Sequence, residues 1–354
     1  MLVSRFPFDI RVVSSVLNFK SSTYYHWIRD ILCRVGEPDV QAELHGHDLH
    51  YYNGHWRQDL TMPIFKPENI GEKMAIDEKS IGDDCYTIFT NSETGKIASI
   101  SKCHDAGTLI IMMSRLGGEY LDRVKEVTRD MSNTYAEVLD VLFPNAKQVI
   151  DKFHETKDGM DYMQAFRVRL KNTQVNIERQ EKAAHDKAFK ENLKKPPRER
   201  VKMSKVYHPE KLENGQTKVE LLARSKYLLY KMPNQWTTSQ RYRAKLLFKH
   251  FPQLEEVYDK ICQFRIWYAP SIVEDREQKY NEIMDWINSI DKKSPLRTFA
   301  DTLLANLPEV LNYFIDHATN AIAESTNSKI QSAIIKNRGA RDLDFFFYRI
   351  SHFL

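Results

Sequence analysis

The chain has little of what marks a disulfide-bonded, exported or membrane-inserted protein. Its four cysteines in 354 residues, Cys33, Cys85, Cys103 and Cys262, stand far apart with no C-x-x-C pair. That argues against both a zinc knuckle and a disulfide framework, and it predicts reduced, mostly buried thiols. The longest apolar run, Leu109 to Met113, falls far short of the ~20 residues that a membrane-spanning helix needs, so no membrane partner is expected. The first twenty residues carry Arg5, Asp9 and Arg11 where the apolar centre of a secretory signal would lie, which predicts a cytoplasmic protein. Charge of one sign is scarce as well: 52 Lys and Arg against 48 Asp and Glu leave a net +4, too small to name a polyanionic partner. What is present is 42% apolar composition with 11% aromatics, enough to build the cores of two or three domains and to exclude global disorder.

Local charge says more than net charge. Between Glu181 and Lys205 nine Lys and Arg stand against four Asp and Glu, centred on Lys194-Lys195-Pro196-Pro197-Arg198. Taken alone, this run reads as a solvated linker in preference to a nucleic-acid contact. Near the N-terminus, Phe8 to Val35 reads as two short helices broken at Asn18 to Ser21. Val12, Val13, Val16 and Leu17 give the first an apolar face, and Tyr24, Trp27, Ile28, Ile31 and Leu32 do so for the second. Tyr25, His26 and Arg29 fall on the opposite face, as in a helix-turn-helix that enters a major groove. Val40 to Glu72 has no steady period and reads as irregular strands and a connector.

From Lys73 the pattern becomes regular. Met74 to Asp77, Cys85 to Thr90 and Lys96 to Ile100 read as three strands of an antiparallel meander, with Asn91 to Gly95 as a turn. A helix follows from Ala106 to Leu116, stopped by Gly117-Gly118. A fourth strand, Val124 to Thr128, runs into Arg129-Asp130, and a helix capped by Ser132 ends at Pro144. A fifth strand, Lys147 to Ile150, leads to Asp151 and His154. The order βββαβαβ, then helix, is that of an α/β ribonuclease-H-like core, whose first and fourth strands lie side by side and carry Asp77 and Asp130 to one place. From Glu155 to about Ser332 the chain reads as helical, with Thr237-Thr238-Ser239-Gln240 as a capping sequence. The core is therefore expected to be interrupted by a large all-α insertion. Asp77, Asp130 and Glu324 would supply the oxygen ligands that a pair of Mg²⁺ ions needs if the last helix packs beside the first strand.

Ile76-Asp77-Glu78-Lys79-Ser80, Thr94-Gly95-Lys96-Ile97, Thr128-Arg129-Asp130-Met131-Ser132-Asn133-Thr134-Tyr135, Phe143-Pro144-Asn145-Ala146 and Val149-Ile150-Asp151-Lys152-Phe153-His154, in this order, resemble the DDE transposases of bacterial insertion sequences, specifically the ISL-three family. Thr319-Asn320, Glu324, Asn327, Lys329-Ile330 and Arg338 resemble its third-carboxylate block. The resemblance runs from about Lys73 to the C-terminus. It implies that Asp77, Asp130 and Glu324 are catalytic and hold two Mg²⁺ ions, with Mn²⁺ an alternative, and that Asp151 and His154 are auxiliary. The basic residues Lys329, Lys336, Arg338 and Arg341 beside Glu324 are expected to contact DNA backbone, with an ordinary solvated helix end as the alternative. The block Leu221 to Lys231 also resembles the family's insertion domain, and its leucines read as one amphipathic core helix that leaves Arg224 and Lys226 free for phosphates. The implied partners are double-stranded DNA, as terminal inverted repeats and as target, and further copies of the chain in a dimer or larger assembly. Two departures stand out. The family's cysteine-rich N-terminal segment is missing, which makes a separate small DNA-binding protein or a truncated start an expectation, and Glu-Gly-x-Asn is replaced by Glu324-Ser325-Thr326-Asn327.

The expected organisation is a helix-turn-helix-like segment over 1–36, a connector over 37–72, the first part of the core over 73–155, the helical insertion over 156–315 and the last part of the core over 316–354. The expected activity is Mg²⁺-dependent cleavage at element ends with strand transfer to target DNA. Its rivals are a nuclease on the same core, which would hydrolyse without joining, and a non-catalytic DNA-binding regulator derived from a transposase.

Overall fold

The computed structural model describes residues 10–103, 105–269, 275–316, 321–336 and 340–353. The chain divides into two compact units, Met1–Glu155 with Asn306–Leu354, and Thr156–Ala305.

The first unit is built on a mixed six-stranded sheet. Its strands are β3 (Ile64–Phe65), β4 (Lys73–Ile81), β5 (Asp84–Asn91), β6 (Ile97–Ser101), β7 (Glu126–Arg129) and β8 (Lys147–Ile150), in the order β3-β6-β5-β4-β7-β8. β4, β5 and β6 form an antiparallel meander, whereas β7 runs parallel to β4 and β8 parallel to β7. From β4 onward this is the strand order compatible with a ribonuclease-H-like core, with β3 added on one edge. A separate hairpin pairs β1 (Tyr51–Tyr52) with β2 (His55–Trp56).

Alternation along β4 decides what each face of the sheet receives, because successive side chains on a strand point to opposite sides. Met74 and Ile76 join Phe89 in a core that also takes Leu109, Met112 and Met113 from helix α4 (Ala106–Ser114) and Val138 and Leu139 from α6 (Asn133–Leu142). The short α5 (Gly118–Leu121) lies between these two helices in the chain. Ile88, which stands opposite Asp77 in the register, belongs to the other core. There it meets Ile330 and Ala333 of α15 (Ala321–Lys336) and Phe345, Phe346 and Ile350 of α16 (Leu343–Phe353). Apolar burial on both faces fixes the register of β4, since a slip of one residue would turn Asp77 into the first core.

Helices α1 (Ile10–Val16) and α2 (Ser21–His26) form the two N-terminal helices expected from the sequence, and α2 runs on into a π-helical turn over Trp27–Leu32. Tyr25 and Arg29, expected on a groove-facing surface, instead both donate to Asp342 Oδ2 at 2.5 Å, while His26 is exposed. The stretch 40–72 holds the short strands β1, β2 and β3 among connecting segments, as expected, but it departs from that reading at its start. It contains most of α3 (Pro38–His45), a short helix opened by a proline in its first turn and burying only Val40 and Leu44, too little apolar repetition to show as a period.

The second unit contains only helices and connecting segments among the described residues. Helix α7 (Lys152–Lys194) enters it, followed by α8 (Lys218–Arg224), α9 (Lys226–Leu229), α10 (Thr238–His250), α11 (Pro252–Trp267), α12 (Arg276–Asn288) and α13 (Arg297–Ala305). Reciprocal capping boxes start α8 (Thr217 with Glu220) and α10 (Thr237 with Gln240). The block Leu221 to Lys231, read from its leucines as one amphipathic helix, is broken at Ser225, whose buried hydroxyl donates back to Leu221 O at 2.6 Å. Leu247, Leu254, Ile261, Phe264, Ile283 and Phe299 are buried in this unit. Helix α14 (Leu307–Asp316) belongs to the first unit and is tied to β8 by Asn312 Nδ2 donating to Gln148 O at 2.8 Å. No described helix is long and apolar enough to cross a membrane.

Candidate active site

The parallel pairing of β4 with β7 sets two carboxylates in step. Ala75 stands opposite Thr128, and Asp77 and Asp130 each follow two residues later. Both residues are half-buried. Asp77 Oδ1 accepts from the Glu78 amide at 2.8 Å, and Asp77 Oδ2 accepts from Asn327 Nδ2 at 2.6 Å. Asp130 Oδ1 accepts from the Ser132 amide at 2.8 Å, which turns the chain into α6. Helix α15, which carries Asn327, also carries Glu324 one turn earlier, where it is half-buried.

Gly95 explains how α15 comes so close. Its φ of +74° lies in the left-handed region, and a Cβ there would meet Ile322 Cγ2 at 3.1 Å and Thr326 Oγ1 at 3.2 Å. In its absence the buried Thr326 hydroxyl donates to Gly95 O at 2.9 Å, so the turn between β5 and β6 seats the helix.

The electrostatics bind the acidic side chains into one neighbourhood. Burial pushes the Asp77 carboxyl above the usual carboxylate range and the charge of Asp130 adds to this, while the Glu78 amide, His154 and Lys79 pull it down. Asp151, 3% exposed, is raised first by burial and then by Glu324 and Asp77, against the pull of His154 and the Phe153 amide. His154 Nδ1 lies 3.7 Å from Asp151 Oδ2, and that oxygen accepts no hydrogen bond.

Arg129 and Asn327 stand within the family-like motifs, yet the sequence alone assigns neither a role. Arg129 is 1% exposed and its guanidinium donates to Gln148 Oε1 at 2.8 Å, Asp130 O at 2.8 Å and Asn306 Oδ1 at 3.2 Å. Burial pulls its pKa down, against the nearby charges of Glu309, Asp130, Asp140 and Glu155. It thus fixes the backbone that carries Asp130 to β8 and to the start of α14. An arginine closing a short buried strand, directly before a carboxylate, is the signal that the sequence offers for it.

The cationic residues are more scattered. Lys329 and Arg341 are exposed in the first unit. The side chain of Lys336, and Thr319, Asn320 and Arg338 as a whole, lie outside the described residues. In the second unit Arg224 is exposed and pairs with Glu220 at 3.8 Å, and Lys226 lies 5.5 Å from the Tyr227 ring centroid.

Among the described residues no three His, Cys, Asp or Glu side chains are already gathered as a metal cage. The chemistry of the donors nonetheless fits a hard divalent cation. They are carboxylate oxygens, one in the middle of β4, one just past the end of β7 and one on α15, and Asp151 holds a buried oxygen with no donor.

The first strand does not close on Asp77 as expected but continues to Ile81, because the hairpin with β5 pairs every residue from Met74 to Ile81. A mixed α/β sheet with one carboxylate inside a strand and another just past the end of its parallel neighbour, faced by a helix bearing a third, defines a class of candidate phosphodiester-processing folds. The chain belongs to the ISL3-type DDE family described as "Transposase", whose profile matches residues 74–350. It is similar to the "Transposase for insertion sequence element IS1557" of Mycobacterium tuberculosis, in strains CDC 1551 / Oshkosh and H37Rv, with 22% identity over 248 residues in each case. The match covers 69% of this chain and 51% of each relative, so it spans about half the length of those proteins. No solved structure matches.

Proposed function

We propose that the chain is a metal-dependent transposase that cuts DNA at the ends of an insertion sequence and joins the freed 3′-hydroxyl to target DNA. The observation that supports this most is geometric: the parallel register of β4 and β7 sets Asp77 and Asp130 in step, and Asn327, one turn from Glu324 on α15, bonds to Asp77 at 2.6 Å. Asp77, Asp130 and Glu324 would hold two Mg²⁺ ions, or Mn²⁺, which when bound supply activation of the attacking oxygen and charge stabilisation at the leaving oxygen. The chain's own contribution is orientation. Asn327 and the Glu78 amide aim the Asp77 carboxylate, the Ser132 amide aims that of Asp130, and the Thr326 bond to Gly95 keeps Glu324 on the same face. His154 braces Asp151 beside them.

In this reading the unit Thr156–Ala305 is a helical insertion between the second and third carboxylates. Lys329, Lys336, Arg338 and Arg341 lie on DNA backbone near the cut, and Arg224 and Lys226 add contacts from the insertion. The N-terminal helices contribute an accessory DNA contact through exposed residues such as His26, since Tyr25 and Arg29 are bonded to Asp342. The partners are terminal inverted repeats and target DNA, a second copy of the chain to hold the two ends together, and a separate small protein for terminal-repeat recognition.

The test is cleavage of DNA carrying the native element ends. Asp77→Ala, Asp130→Ala and Glu324→Ala should each abolish Mg²⁺-dependent cutting while leaving DNA binding near wild type, and Asp130→Ala and Glu324→Ala should also melt near wild type. Asp130→Ala protein that still cuts at the wild-type rate would refute the assignment. Pre-cut ends separate transposase from nuclease, because only the former joins them to a second duplex.

A further inference from the structure

The basic run around Lys194 is not a solvated linker. Helix α7 continues to Lys194, and on it Lys187, Lys190 and Lys194 recur at intervals of three and four, one row along about 10 Å of a single face. The chain beyond folds back onto the helix end. The Asn192 side chain, 7% exposed, donates Nδ2 to Val201 O at 2.7 Å and accepts from Val201 N at 2.9 Å. Arg200 donates to Lys195 O and Leu193 O, both at 2.9 Å, and so satisfies carbonyls that a helix end leaves open. A flexible connector makes no such bonds. The folded loop presents Lys195, Arg198 and Lys202 beside the helical row.

All six of these cationic side chains are exposed, and none has an anionic partner among the described residues. Some other basic residues of the same unit are paired, Arg224 with Glu220, Lys249 with Glu213 and Arg297 with Asp301, and exposed ones without an anionic partner among the described residues, such as Lys245, do not belong to this row. Glu191 and Glu199 lie among the six cations, but the surface keeps a net positive charge, and a polyanion of regular spacing relieves the remaining repulsion along the row. The aromatic residue within 187–202, Phe189, is half-buried and stacks on His185, which also meets Tyr207, so it is engaged within the protein, whereas single-stranded nucleic acid is held on free stacking platforms. We propose that the end of α7 and the loop folded onto it, residues 187–202, form a surface that binds the phosphate backbone of double-stranded DNA without regard to sequence. The proposal rests on the transposase reading for its biological partner, and it adds a contact surface that reading did not include.

The experiment uses the full chain without metal and a random-sequence DNA duplex, with Kd measured across a salt series. In the variant carrying Lys187→Ala, Lys190→Ala, Lys194→Ala, Lys195→Ala and Arg198→Ala, the slope of log affinity against log salt should flatten by about 4.5, or about 0.9 for each phosphate no longer neutralised. Binding near 0.1 M salt should weaken at least tenfold, with unchanged melting temperature. A companion variant with the four lysines changed to Arg should bind as wild type. An unchanged Kd and slope in the alanine variant, an equal loss in the arginine variant, or tighter binding of single-stranded RNA of the same length would each overturn the proposal. Cutting of element-end DNA by the wild-type chain, run alongside, separates the two failures. Cutting by a chain whose duplex affinity ignores the alanine changes removes only the surface. Duplex affinity that depends on those lysines, without cutting, removes only the transposase reading.

Discussion

Asn327 Nδ2 donates to Asp77 Oδ2 at 2.6 Å, tying the helix that carries Glu324 to the first long strand of the sheet across 250 positions of sequence. The same bond leaves Asn327 Oδ1 buried with no donor, so the amide serves one purpose, the aim of the carboxylate.

Asn327→Ala should therefore cost about 1.5–3 kcal/mol of stability, the range for a hydrogen bond to a charged group, read as a lowered denaturant midpoint. Metal-dependent cutting should fall more steeply than stability explains. Asn327→Asp should be worse in the absence of metal, because it sets a second carboxylate against Asp77, and added Mg²⁺ should restore part of its melting temperature. Equal melting of the Ala and Asp variants without metal would contradict this account.

Gly95 permits the approach of α15, and a side chain there meets two obstacles at once: a left-handed backbone, and Ile322 and Thr326 at little more than 3 Å. Gly95→Ala should lose about 1–2 kcal/mol from the backbone alone, with further loss from displaced packing. A urea titration gives the stability, and the cutting assay shows whether Glu324 has moved with its helix.

The strand order was legible in the sequence because turn residues and apolar runs delimit β5, β6, β7 and β8 to within two residues, whereas β4 runs on past Asp77 to Ile81 through polar positions that pair with β5. Asp77 and Asp130 followed from that order. The half of the site supplied by α15 was not derivable in the same way, since nothing local in Ala321–Lys336 says which strand it will meet. The Asn327 bond and the seat at Gly95 are long-range facts of packing. Tyr25 and Arg29 show the converse failure. Their polar character suggested an outer surface, but their partner, Asp342, lies at the other end of the chain.

Asp151 bears a cost that its neighbours impose. Burial, then Glu324 and Asp77, raise its pKa, so the folded state holds its proton to higher pH than the unfolded chain does. The stability this group contributes is present at low pH and is lost as pH rises through the raised value. Asp151→Asn should accordingly stabilise the metal-free chain at neutral pH, by on the order of 1 kcal/mol, and the gain should vanish in acid. A melting series of both proteins from about pH 4 to pH 8 checks the sign, and destabilisation by Asn at neutral pH would contradict it.

His45 places a second pH-dependent link away from the carboxylates. Its Nδ1 lies 3.0 Å from Asp48 Oδ2 and its Nε2 3.1 Å from Asp344 Oδ1, so one imidazole links α3 to the start of α16. Burial alone would lower its pKa, but the hydrogen bond to Asp48 and the charges of Asp344 and Asp48 outweigh burial and raise it. For a histidine whose folded pKa is raised, the added stability is complete below the unfolded value near 6.5 and disappears as pH climbs through the folded one. With its side chain 39% exposed, solvent screening keeps the contribution below about 1 kcal/mol. Wild type should therefore lose a small increment of stability between about pH 6 and pH 8 that His45→Gln lacks. Hydrogen exchange in α16 should show the same difference locally, faster in wild type at about pH 8 than at about pH 6 after correction for intrinsic rates, and the variant's corrected rates should not move.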